Sequence, residues 1–486
     1  MGIVVVQSVK NTLTTYLGFI IGGINVFFLY TNFMSDAYFG LVTFIFSTAN
    51  VLMPLMAFGA HHTVIRFYSS YKTRQSQNSF LIFAMLLPFT IAIPMGMLCH
   101  FFYNSISVWL TATDVVMEDY IWLIYFSAIA FAYFELFYAW SRVHMQSVVG
   151  NFMKELFHRV STTILLFSLY LEFINVNQFV YAVVGVYIIR VFVMMLYAFS
   201  IRLPPVKLVK LKGIKSILKY TALIVFAGSI ANIVLELDKV MLGYYIEIEN
   251  VAYYSVAIYI ASVIGVPSQA MEQIISPITA KLLNEGNNSG LKSLYQKSSL
   301  SLFIIGGLIF LLIVLNINEL YLLIPEKYEG GLLIVVLISL AKLTDNLLGN
   351  NTAIIYNSNY YVVALIFGGF LMLSMVVLNM ILIPKYGING AALATFAAVL
   401  SYNIIKIIFV KYAFGMLPFT FTTLKVLVLV LLGLMFFYFW NFPFHPILNI
   451  MLKSVLVSFM YGSVVYYFNF SNDVSQLIKK TLKLFR

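Results

Sequence analysis

Charge is scarce in this chain. Of its 486 residues only 10% are Asp, Glu, Lys or Arg, against roughly a quarter in a soluble domain, so there is too little to cover a water-facing surface. Cysteine is nearly absent. Cys99 stands alone in an apolar run, which excludes a disulfide framework and leaves the redox compartment open. The opening residues lack a basic stretch, a short apolar core and a small-residue cleavage site, so the first apolar segment is expected to be a retained span. No HExxH, Walker A loop or nucleophile elbow occurs, and the six histidines lack metal spacing, the adjacent His61 and His62 falling at a span end. Neither enzyme chemistry nor a cofactor is expected. Any transport would draw on an H+ or Na+ gradient, the membrane potential or the substrate's own disequilibrium.

What is present is apolar. Hydrophobic residues make up 62% of the chain and the mean hydropathy is +0.95. Runs of about 20 apolar residues, enough to cross a bilayer, recur along nearly the whole length. Barrel strands would alternate polar and apolar positions, but Leu302–Leu315 and Val426–Trp440 are apolar on every face, as membrane helices are. The patterning predicts an all-α polytopic protein of about fourteen helices near 11–33, 38–60, 79–103, 120–140, 159–172, 177–200, 219–243, 252–275, 298–318, 330–349, 360–383, 390–410, 424–441 and 450–470.

The connections alternate in charge. One set carries Arg66, Lys72 and Arg74; Arg142, Lys154 and Arg159; then Arg202, Lys207, Lys210, Lys212, Lys215 and Lys219. It continues with Lys281, Lys292 and Lys297; Lys406, Lys411 and Lys425; and Lys479, Lys480, Lys483 and Arg486, in all 22 of the 29 basic residues. The other set is acidic, with Asp36, Asp114, Glu118, Asp119 and Glu172 among its members. The Lys/Arg bias makes the first set, and both termini, cytoplasmic. The formal net charge of +11 is thus a topology signal with a secondary affinity for anionic lipids. No basic–aromatic interleaving or recognition motif points to nucleic acid.

Six helices precede the connection Ile201–Lys219, which holds Pro204 and Pro205, and the pattern restarts after it: Ala37-Tyr38-Phe39-Gly40-Leu41-Val42 opens the second helix and Ala252-Tyr253-Tyr254-Ser255-Val256 the eighth. The reading is a six-helix lobe over 1–200, a cytoplasmic linker 201–218, a second six-helix lobe over 219–411 in parallel repeat, and two extra helices with a basic tail over 412–486.

A charge inside a span is by default functional. Glu135, Arg190, Glu236, Asp238, Lys239, Glu272, Lys342 and Asp345 lie within the expected helices. At 1.5 Å per residue, Glu135, Arg190, Lys342 and Asp345 fall somewhat past mid-membrane. Lys342 and Asp345 are spaced i, i+3 for an ion pair. Arg190 has no opposite charge on its own helix, so its partner is a carboxylate across a lumen, such as Glu135, or an anionic substrate, which its forked donor suits. Ser229, Asn232, Glu236 and Lys239 form one polar stripe. Glu272 is near its helix end and reads as an interface residue. Asn11, Thr15, Gly18, Gly22 and Asn25 make a small-and-polar face that must meet protein or water.

Three segments carry a resemblance: Ala37-Tyr38-Phe39-Gly40-Leu41 with Phe58-Gly59 and Val64-Ile65-Arg66-Phe67; Leu237-Asp238-Lys239-Val240-Met241-Leu242-Gly243 with Ala252-Tyr253-Tyr254-Ser255-Val256-Ala257; and Leu382-Ile383-Pro384-Lys385-Tyr386-Gly387-Ile388-Asn389-Gly390-Ala391-Ala392-Leu393-Ala394-Thr395. In this order the chain resembles the Wzx-type polysaccharide flippases of the multidrug/oligosaccharidyl-lipid/polysaccharide exporter superfamily. The resemblance implies two six-helix lobes around a central cavity in the bacterial cytoplasmic (inner) membrane. It also implies a lipid-linked oligosaccharide substrate on a polyprenyl diphosphate, in work shared with other polysaccharide assembly proteins. Expected cationic lumen residues are Arg190, Lys342, Lys239, Arg66 and Lys406; expected coupling or charge-pair residues are Glu135, Asp345, Glu236 and Asp238. The first helix lacks the arginine usual in the lipid II branch. The alternatives are an ion-coupled multidrug or cation antiporter and a membrane glycan polymerase.

Overall fold

A computed structural model describes residues 2–110, 115–203, 211, 213–471 and 474–475. Asp114, most of the expected linker (204–210 and 212) and the basic tail Lys479–Arg486 lie outside the described residues, as do the side chains of Ser229 and Asn232. The described residues form helices and turns with no strand among them. Among the described residues eleven helices are long and apolar enough to cross a membrane, so the chain is a multi-pass membrane protein. Self-contained backbone hydrogen bonding is what lipid imposes. By compactness the chain divides into two units, Met1–Tyr253 and Tyr254–Arg486.

The first unit is built from α1 (Gly2–Ile24), α2 (Asp36–Met56), α3 (Ala60–Phe67), α4 (Ile121–Val143), α5 (His158–Tyr170), α6 (Val176–Ile201) and α7 (Ile214–Tyr245), with Arg74–Leu86 and Phe89–Phe101 broken at Pro88. Its core packs Phe80, Phe134, Phe137 and Trp140 beside Ala49, Met56, Ala128 and Phe131. Small residues allow close helix approach. A Cβ on Gly40 of α2 would overlap the carbonyl oxygen of Ile248, and one on Gly18 of α1 that of Glu155. The polar face of α1 meets protein, as its sequence requires: Asn25 donates to the Arg159 carbonyl at 2.9 Å and accepts from Thr163 at 2.7 Å. Each of these facing helices contains one π-helical turn, Asn25–Leu29 and Met153–Phe157. At the start of α6, Asn175 and Gln178 cap one another's backbone N–H groups.

The second unit comprises α8 (Val266–Asn284), α9 (Asn288–Tyr321), α10 (Leu332–Leu347), α11 (Asn351–Asn357), α12 (Tyr361–Phe414), α13 (Phe421–Tyr438) and α14 (Pro446–Tyr467). Phe303, Leu311, Val430 and Tyr461 form its main core. Polar pins tie the last helix to α9: Tyr461 donates to the Ile304 carbonyl at 2.9 Å and Asn449 to Glu319 at 2.6 Å. The long helix α12 is interrupted at Gly387, φ 56° and ψ −133°. A Cβ on Gly390 would overlap the carbonyl oxygen of Leu382. Eight residues of straight helix would hold them about 12 Å apart, so the chain folds back sharply there.

Candidate functional site

Charged side chains gather in the first unit around a cavity of about 490 Å³. Glu135 and Arg142 come from α4, Lys154 and Glu155 from the π turn, His158 and Arg159 from α5, Arg190 from α6, Glu236 from α7, and His61 and His62 from α3. Lys154, Glu155, His158 and Arg159 share one helical face because they are spaced one, four and five apart. The lining thus holds four permanent cations against three carboxylates, with three imidazoles.

The carboxylates are engaged. Lys154 donates to Glu135 at 2.6 Å, Arg159 pairs with Glu155 at 3.8 Å, and Glu236 accepts from Lys239 at 2.7 Å and from Ser47 at 2.8 Å. Arg190 is different. It is 6% exposed, forms no ion pair among the described residues, and its Nε has no hydrogen-bond partner. Its guanidinium lies 4.0 Å from the ring centre of Phe134, 4.8 Å from Tyr187 and 5.6 Å from Phe131. Aromatic faces compensate part of the desolvation of a cation and leave the fork's N–H groups free for an anion. The partner suggested for it by sequence, Glu135, is held by Lys154. His61 and His62, just beyond the α2 span, have ring centres 4.1 Å apart. Burial, then the adjoining His62, pushes the His61 imidazole down to about 3, and burial, then Arg142, lowers His62. Both rings are therefore neutral near pH 7.

A second, smaller cavity of about 260 Å³ lies in the other unit, lined by Glu272 of α8, Asp345 of α10, Thr352 of α11 and Tyr402 and Lys406 of α12. Lys406, 6% exposed, donates to Thr352 Oγ1 at 3.1 Å and lies 4.4 Å from the Tyr402 ring centre. Asp345 accepts from Asn403 at 2.7 Å. It does not pair with Lys342, because an i, i+3 bridge contributes only a few tenths of a kcal/mol and a buried amide on the neighbouring helix offers the better donor. Lys342 forms no ion pair among the described residues and packs its chain beside Gly265.

Of the residues singled out by sequence, Arg190, Glu135 and Glu236 line the first cavity, and Asp345 and Lys406 the second. Lys239 adjoins the first through Glu236. Asp238 is buried, and Arg66 is exposed with its guanidinium over Tyr220 at 4.4 Å. Lys342 lines neither cavity. Arg142, Lys154 and Arg159 read in the sequence as connection charges, and Glu272 as an interface residue, yet all four line cavities. The spacing of Lys154, Glu155, His158 and Arg159 was the legible signal.

The fold has solved counterparts. A lipid II flippase MurJ, in an inward closed conformation, superposes with a TM-score of 0.71 at 14% identity, covering 96% of this chain and 100% of that one. An inward-facing multidrug resistance MATE family transporter of the MOP superfamily gives 0.60 at 10% identity over 84% of this chain and 93% of its own. A MOP superfamily transporter from Pyrococcus furiosus, described as having a binding pocket of reversed polarity, gives 0.54 at 13% identity over 85% and 95%. At these identities the likeness is one of fold. No curated protein matches the chain. The model of the polysaccharide biosynthesis protein family matches residues 8–280, more than half of the sequence, and the chain belongs to that family.

Proposed function

We propose that this protein flips a polyprenyl-diphosphate-linked oligosaccharide from the inner to the outer leaflet of the bacterial cytoplasmic membrane, by alternating access. The family supports a role in polysaccharide assembly, and a flippase of a lipid-linked substrate shares the fold. The observation that carries the reading is Arg190: a buried guanidinium without an anionic partner, resting on three aromatic faces and lining a cavity with three further cations. Such a group is satisfied by an incoming phosphate. Arg142, Lys154 and Arg159 would share the second phosphate's charge, and Glu135 would release Lys154 as the anion enters. Glu135 and Glu236 are the carboxylates available to hold a coupling ion. Arg66, Lys239, Lys342 and Asp238 line neither cavity, and Arg190 takes the principal role. A cation antiporter calls for a carboxylate excess, and the first cavity has the opposite balance.

In cells whose surface glycan depends on this chain, Arg190→Gln should lower surface glycan at least tenfold while folded protein in the membrane stays at the wild-type level. The loss of one buried charge-assisted contact, about 1.5–3 kcal/mol, corresponds to that range. Wild-type glycan in the variant would discard the site, and ethidium resistance on overexpression would favour the antiporter instead.

A further inference from the structure

The cavity of the second unit has a chemistry unlike that of the first. Four of its side chains are polar and incompletely used. Lys406 spends one of its three N–H groups, on Thr352. Asp345 accepts one hydrogen bond at one oxygen, from Asn403. Glu272 and the Tyr402 hydroxyl line the cavity with no hydrogen bond to any described residue, and neither Lys406, Asp345 nor Glu272 forms an ion pair. A lysine 6% exposed with two free N–H donors is costly unless something in the cavity accepts from it. The half-buried Asp345 keeps lone pairs that require donors, and the exposed Glu272 adds further acceptors at the cavity's edge.

No simple ion meets both demands. A phosphate or a uronate carboxylate offers only acceptors there and is repelled by Asp345 and Glu272. A metal or organic cation offers nothing to Lys406 and is repelled by it. A sugar hydroxyl both donates and accepts, so a ring bearing several of them fills the set without adding charge. The cavity, about 260 Å³, is below the roughly 300–1,000 Å³ of sites for drug-sized ligands and is of the size of one ring.

We infer that this cavity is a subsite for a single neutral sugar residue, held by Lys406, Tyr402, Asp345 and Glu272. The inference rests on the flippase reading for its biological meaning. It narrows that reading: the glycan carries an uncharged ring, and its phosphates are bound elsewhere.

The test is saturation-transfer NMR on the full chain in lipid nanodiscs, with methyl glycosides of a neutral hexose and of its uronic acid, and farnesyl diphosphate as a separate probe of the first cavity. The neutral glycoside should bind with a Kd on the order of millimolar, a free energy of about −4 kcal/mol. The uronate should bind at least fivefold more weakly. Lys406→Met and Asp345→Asn should each cut the neutral-sugar signal at least fivefold, and Tyr402→Phe, which keeps the ring, about twofold, while all three retain farnesyl diphosphate binding. Equal binding of the uronate, a signal indifferent to the substitutions, or no signal from any neutral glycoside would overturn the subsite. Loss of farnesyl diphosphate binding in the wild type would instead strike the flippase reading.

Discussion

Arg190 and Lys406 show two ways of keeping a cation inside an apolar unit. Arg190 lies on aromatic faces with its donors free, and Lys406 shares one aromatic face and one hydroxyl. Lys154 is exposed by comparison and pairs instead with the Glu135 carboxylate at 2.6 Å. That pair sets the charge offered to an anion, so Glu135→Gln should strengthen farnesyl diphosphate binding at least tenfold, since one unit charge about 4 Å away is worth about 4 kcal/mol at an effective dielectric near 20. The gain should shrink as salt rises, which titration in nanodiscs at two ionic strengths would show; weaker binding would mean that Glu135 positions Lys154. The sequence marked Arg190, Glu135 and Asp345 because a charge in an apolar run is visible on its own. Their partners were hidden. Lys154 and Asn403 reach Glu135 and Asp345 from other helices, and no spacing rule along one helix foretells a contact across two. Glu272, read from its place near a helix end as an interface residue, is exposed and also borders the second cavity, which depth along one helix does not reveal.

At the scale of the element, glycine positions are the informative ones. Gly40 allows α2 to lie against the backbone at Ile248, and Gly387 takes a conformation, φ 56° with ψ −133°, closed to side chains. Gly387→Ala should cost about 1–3 kcal/mol and lower the Tm of detergent-purified protein. Gly40→Ala should lower it further, since a carbonyl cannot step aside. Gly185→Ala, in a helix and with nothing within 4 Å of the added Cβ, should be neutral or raise it. A Gly387 variant as stable as the Gly185 one would dismiss the strain. Helix identity was legible here, because Leu302–Leu315 and Val426–Trp440 are apolar all round and strands were excluded outright. The break near Pro384–Gly387 was legible too, as a polar interruption between apolar runs. The π turns Asn25–Leu29 and Met153–Phe157 were not. A single extra residue in a helical ring leaves no mark in hydropathy, and it is set by the facing helices that pack there.

For the molecule as a whole, the alternation of basic and acidic connections gives an orientation that packing does not. With 22 of 29 basic residues on one set of connections, the positive-inside bias predicts a cytoplasmic location for that set and for both termini. Alkaline phosphatase fused after Arg486 should be inactive and green fluorescent protein there bright, with the reverse at the connection 104–119; the opposite pattern would invert the assignment and the direction of transport drawn from it. The turn at Gly387 has a consequence for biogenesis. Its two flanking stretches are joined only by the short polar interruption Pro384–Gly387, too little to hold them apart, so neither is expected to leave the insertion machinery alone. The leg that partitions first draws Lys385 and the other leg after it, and the pair is committed to the bilayer as one piece.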